Sequence, residues 1–207
     1  GGALSGKIAS AAIFPAGLAM VILAGSELFT GNCLFLLPLL RGDITGGRTM
    51  GSWAIVYCGN LIGSIVIAFI VVRCGVLDSI APAAIATAAA KASLPFGAAF
   101  LRGVLCNLLV CLAVWIGFAS RTVTDKVVGI LLPIAAFVAC GFEHCVANMF
   151  FLSTGLALNV LGGVGAAGAV TLGGAAANLV LATLGNVAGG ALVGLAYWYA
   201  YRGKEAR

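Results

Sequence analysis

The stretch Ala139-Cys140-Gly141-Phe142-Glu143-His144-Cys145-Val146-Ala147-Asn148 lies inside a long apolar segment, yet it carries a carboxylate, the chain's one histidine, an amide and a glycine. A second stretch answers it: Ala24-Gly25-Ser26-Glu27-Leu28-Phe29-Thr30-Gly31-Asn32. Both read Gly-x-Glu-x-x-x-x-Asn, and both interrupt an apolar run. Irregular, polar backbone at membrane depth is tolerated only where protein buries it or it lines a cavity. A pair of such interruptions in corresponding positions of two halves points to a transport site between broken helices. The remainder of the chain reads as scaffold for these two breaks.

Composition sets the solvent. The 207 residues are 62% hydrophobic and 8% charged, against roughly 25% charged in a soluble domain, and the mean hydropathy is +1.17. These values describe an all-α, multi-pass membrane protein. The 30 glycines follow no collagen period; they suit close helix–helix approach in lipid. The basic residues behind the net charge of +5 sit mostly in short loops and the tail, where they set orientation rather than bind nucleic acid. Seven cysteines, scattered mostly through apolar spans, do not form a secreted disulfide framework and read mostly as buried thiols.

Taken in order, the spans are expected at residues 8–40 (broken at 26–32), 51–72, 94–119, 127–160 (broken at 141–148) and 175–201, with a loop over 73–91. The apolar run after Lys7 continues through Glu27 and beyond, which sets aside a signal peptide. Each broken span is followed by Gly-Asn-x-x-Gly, at Gly59-Asn60 and at Gly185-Asn186. The glutamates are 143 − 27 = 116 positions apart and the asparagines 186 − 60 = 126, so the two halves repeat with a longer connection in the second. In the second half an intact helix precedes the broken one. Its counterpart in the first half is expected upstream of Gly1, making a three-plus-three inverted repeat. Loops 41–50 and 120–126 and the tail carry most of the basic residues on one side of such a topology, which places that side, with the C-terminus, in the cytoplasm.

Glu27, Arg102 and Glu143 are the charged residues well within the apolar spans. Each costs at least ~2.5 kcal/mol there on insertion scales unless it faces a cavity or a partner. Glu27 and Glu143, grouped with Asn148, are expected to brace the breaks by accepting freed backbone N–H groups. Arg102 either snorkels to the interface or draws anions inward. His144 can switch charge or pass a proton near neutral pH, and Thr30 in the other break supplies a hydroxyl that donates and accepts. Asn107 either lines the path or bonds between helices. Phe14, Leu18, Phe29, Val110 and Phe137 read as packing or as a hydrophobic constriction. Lys91 either concentrates anions at a mouth or is a solvated loop residue. Two patterns are set aside. Residues 163–168 match G-x-G-x-x-G, but no βαβ unit or later acidic residue accompanies them. Cys140, His144 and Cys145 lack a fourth metal ligand. No nucleophile–base arrangement suggests an enzyme, and no cofactor is expected.

At these residues the sequence resembles the formate/nitrite transporter family. Glu27-Leu28-Phe29-Thr30, the run from Cys106-Asn107 to Trp115, Gly141 to Phe150, and Gly185-Asn186 with Tyr197-Trp198 match its motifs, and the resemblance covers essentially the whole chain. It implies an aquaporin-like protomer of six spans, the first upstream of this start. It also implies a pentamer with one pore per protomer, in a membrane of the bacterial inner type. The substrates it implies are small monovalent anions such as formate, nitrite or hydrosulfide. It assigns Thr30 to a loop threonine, His144 to the central pore histidine and Asn107 to a pore-facing asparagine. Phe14, Leu18, Leu28, Val110 and Phe137 take constriction positions, and Lys91 takes that of a vestibule lysine. Residues 25–32 are closer to nitrite- and hydrosulfide-type members. Proton-linked passage is expected, because a neutral acid avoids most of the cost of an ion in low dielectric. The alternative is a channel of the same fold for small neutral solutes.

Overall fold

The computed structural model describes residues 2–161 and 169–202, with side chains from residue 5 onward. Residues 163–168 and the tail beyond Arg202 lie outside the described residues. The first span begins as α1 (Gly2–Ile13) and α2 (Pro15–Ala24). Pro15 starts the second piece, where its missing N–H costs nothing. Gly25 then takes a left-handed φ of 71° and ends α2. Gly141 does the same at the second break, with φ 68°. The two lie 141 − 25 = 116 positions apart, the spacing of the glutamates. A side chain at either position would be strained, so glycine opens both breaks.

After the first break come α3 (Phe29–Asn32), a 3₁₀ turn (Cys33–Phe35) and α4 (Leu36–Arg41), then α5 (Gly46–Arg73). The segment 73–91, expected as a loop, instead contains α6 (Ala81–Ala92), which packs on α9. The second half is α7 (Phe96–Ala119), α8 (Val123–Ala139), α9 (Cys145–Leu161) and α10 (Leu172–Tyr201). Thr45, Thr122 and Thr171 cap α5, α8 and α10 through their hydroxyls, satisfying N–H groups that a helix start leaves unpaired. Four helical stretches are long and apolar enough to cross a membrane, and two shorter apolar helices, Phe29–Arg41 and Cys145–Leu161, accompany them.

The breaks are shorter than their motifs. Residues 25–28 and 140–144 leave the helix, not 26–32 and 141–148. Asn32 and Asn148 already belong to the helices that follow, which lets their side chains reach back.

α10 packs along α7 more extensively than any other pair of elements among the described residues. Small residues permit this: a Cβ at Gly185 would lie 2.2 Å from the Phe100 carbonyl oxygen, and one at Gly189 2.3 Å from that of Val104. The matching Gly59 and Gly63 on α5 meet nothing within 4 Å among the described residues. Tyr57 and Thr183, separated by the same 126 positions as the two Gly-Asn motifs, hydrogen-bond to each other at 3.1 Å. Of the seven cysteines, Cys33, Cys106, Cys111 and Cys145 are buried, while Cys58, Cys74 and Cys140 are exposed.

Candidate functional site

Each break is splinted by an asparagine from the helix that follows. Asn60 Oδ1 accepts from the Phe29 N–H at 3.0 Å, and its Nδ2 donates to the Glu27 carbonyl at 3.1 Å. Asn186 repeats this with the Cys145 N–H at 2.8 Å and the Glu143 carbonyl at 2.9 Å. The sequence noted both asparagines only as a duplicated motif; their role depends on helices meeting across 31 and 41 positions. The glutamates were expected to accept backbone N–H groups. Instead, Glu27 Oε2 accepts from Asn32 Nδ2 and Glu143 Oε2 from Asn148 Nδ2, both at 2.6 Å. The asparagines already hold the backbone, which leaves the carboxylates for the first turn of the next helix.

At the centre, Thr30 Oγ1 and His144 Nε2 lie 2.9 Å apart. His144 caps α9: its Nδ1 accepts from the Ala147 N–H at 3.0 Å. Nδ1 therefore carries no hydrogen, and the neutral ring holds its proton on Nε2 and donates it to Thr30. The ring of Phe137 stacks 5.8 Å from the imidazole, and Phe14 meets Phe137 edge-on at 5.5 Å. Asn107 is fully buried. Its Nδ2 donates to the carbonyls of Thr30 at 3.2 Å and Asn186 at 2.6 Å, so it ties the two halves together.

Two cavities adjoin through Leu18 and Leu28; His144 lines one of them, and Thr30 and Asn107 line neither. One, of about 470 Å³, is lined by His144, Phe14, Phe137 and Val110, with Ser64 as its other polar side chain. The second, of about 440 Å³, is lined by Glu27, Asn32, Val114 and Trp115. Leu18 and Leu28 line both. Along the α1–α2 segment the lining passes from Ile13 to Gly25, about 18 Å at ~1.5 Å per residue. Phe29, expected at the constriction, lines neither cavity. Its ring is buried edge-on against Trp53 and Tyr57, at 6.0 and 5.0 Å, because the Asn60 splint fixes its backbone beside α5.

Residues 2–199 match the family model described as formate/nitrite transporter. The chain belongs to the formate/nitrite transporter family. It is 42% identical to a probable formate transporter of Methanothermobacter thermautotrophicus, over 94% of this chain and 75% of that one. It is 40% identical to the nitrite transporter NirC of Salmonella typhimurium, over 91% and 69%. A solved pentameric formate channel with formate bound superposes with a TM-score of 0.83 at 34% identity, covering 94% of this chain and 83% of that chain. The family is one of transporters, not of enzymes.

The remaining candidate residues are Lys91 and Arg102. Lys91, at the end of α6, is no solvated loop residue: its Nζ lies 2.9 Å from Glu143 Oε1, with side-chain exposures of 17% and 4%. Arg102 is exposed near the start of α7, and its carbonyl accepts from the Glu143 N–H at 3.3 Å. One polar residue went unread in the sequence. Asn178 donates to Glu143 Oε2 at 3.2 Å and to the Lys91 carbonyl at 2.9 Å, and accepts from Asn148 at 2.8 Å. Its only signal was an amide in an apolar span, eight positions before Asn186. Among the described residues, no three His, Cys, Asp or Glu side chains gather to hold a metal ion.

Proposed function

We propose that this chain carries small monovalent anions of the formate and nitrite kind across a membrane, and that protons move with them. The observation that carries this reading is the Thr30–His144 hydrogen bond of 2.9 Å, where the starts of two half-helices meet beside the junction of two cavities. Helix N-termini carry partial positive charge and favour anions. The apolar side chains of Leu18 and Leu28, which line both cavities, and of Phe14, Val110 and Phe137, which line the one holding His144, strip water from a small ion without holding it.

His144 Nε2 donates to Thr30, which leaves the threonine hydroxyl proton for a passing anion. Handing over a proton requires more. A ring protonated on both nitrogens has no lone pair for the Ala147 N–H, so proton-linked flux requires the imidazole to leave that amide for part of the cycle. Exposed Arg102 attracts the anion to one mouth, whereas Lys91 is held by Glu143. The assembly is a homopentamer with a pore in each protomer, and the C-terminus faces the cytoplasm beside the basic loops.

Proteoliposomes offered formate, nitrite, hydrosulfide, lactate and glycerol at pH 5.5 and 7.5 test this. Uptake of formate or nitrite well above empty liposomes, and faster at pH 5.5, is the expected result. Glycerol entry without anion entry would replace the anion reading with that of a neutral-solute channel.

A further inference from the structure

A third cavity lies outside the path just described. It measures about 500 Å³ and sits where the C-terminal ends of α4, α7 and α10 come together. Its floor is apolar, from Leu37 and Leu40, and its walls are the rings of Trp115, Trp198 and Tyr201. Arg41, Asp43 and Arg202 complete the lining. Arg41 Nε lies 3.0 Å from Asp43 Oδ2. The Arg202 guanidinium stacks 4.3 Å from the Tyr199 ring and 5.1 Å from that of Trp198. Stacking occupies the flat faces of a guanidinium and leaves its edge, with five N–H donors, for an oxyanion.

The walls are stiff. Trp115 stacks on Tyr197 at 4.1 Å, and Tyr197 stands 6.0 Å from Tyr201. α7 and α10 are both long enough to cross a membrane, so rings near their ends lie at the water–lipid boundary, where Trp and Tyr concentrate. A cation at a helix C-terminus is ordinary by itself. Two guanidiniums around a cavity with an apolar floor and aromatic walls are not, because that cavity has a place for a phosphate and a place for the hydrocarbon beneath it.

We propose that this pocket holds the phosphodiester headgroup of an anionic phospholipid, with the phosphate at Arg202 and Arg41 and the glycerol and upper acyl carbons over Leu37 and Leu40. Basic pockets between transmembrane helices recognise anionic lipids in this way. Asp43 opposes the phosphate and competes for Arg41. The site is separate from the transport path, although Leu37 and Trp115 form a wall shared with the Glu27-side cavity.

Native mass spectrometry of the detergent-purified protein reads this directly, with phosphatidylglycerol, phosphatidylcholine of the same chains, or inorganic phosphate added. Phosphatidylglycerol should bind about tenfold more tightly than phosphatidylcholine, and Arg202→Gln should remove most of that tenfold preference, the scale of one charge-assisted contact. Asp43→Asn should strengthen phosphatidylglycerol binding, a change in the opposite direction that misfolding cannot mimic. Equal binding of the two lipids would overturn the proposal, as would weakening by both variants. Displacement of the lipid by an equal concentration of inorganic phosphate would also overturn it, by making this a soluble-anion site.

Discussion

Gly185→Val should leave little folded protein in mild detergent. A Cβ there would lie 2.2 Å from the Phe100 carbonyl oxygen and 3.0 Å from both Gly103 Cα and the Val104 nitrogen. All three are backbone atoms on α7, so no side chain can swing aside and the helices themselves must part. Overpacking a core costs about 1–3 kcal/mol where side chains yield. Here the cost lies at or above that upper end, against a total stability of roughly 5–15 kcal/mol. A Tm lower by at least about 6 °C, by the usual scaling for a chain of this size, is expected with loss of monodispersity on size exclusion. Gly97→Ala is the contrast: its Cβ meets nothing within 4 Å, so no loss of Tm is expected. A Gly185→Val protein with the wild-type Tm would refute the close contact of α7 and α10.

Lys91→Met should destabilise the fold by about 3 kcal/mol, because breaking a buried ion pair strands the remaining charge. Glu143 is 3% exposed. Oε2 keeps Asn148 and Asn178, but Oε1 has Lys91 as its hydrogen-bond donor, at 2.9 Å. Adding Glu143→Gln should restore most of the loss, since an amide oxygen still accepts from the asparagines and no charge is left unpaired. Thermal unfolding of the single and double variants measures this. Equal losses in both would mean that Lys91 supports α6 by the packing of its stem rather than by its pairing with Glu143.

The breaks were legible because glycine and glutamate are out of place in apolar runs, and because both recur at one spacing. The left-handed pair Gly25 and Gly141 falls at that same spacing. The splints were not legible. Asn60 and Asn186 look alike in sequence, but what they hold depends on how helices pack. Break limits were overextended because Asn32 and Asn148 close the motif while already sitting in helix. The segment 73–91 reads as loop because Arg73, Asp78, Pro82 and Lys91 make it polar and broken; Pro82 stands in the first turn of α6, where proline is tolerated. Phe29 reads equally as packing or as constriction, because periodicity cannot tell which way a ring turns beside a break. Lys91 met Glu143 from 52 positions away, a distance at which charge patterning is silent.

The most direct test of the transport reading is formate uptake by proteoliposomes holding wild type or His144→Phe, at pH 5.5 and 7.5. The imidazole lines one of the two cavities and is the group through which the account passes a proton. Wild type should be faster at the lower pH, and the variant should lose that dependence. The same rates and the same pH dependence in both proteins would contradict the account and remove His144 from the path.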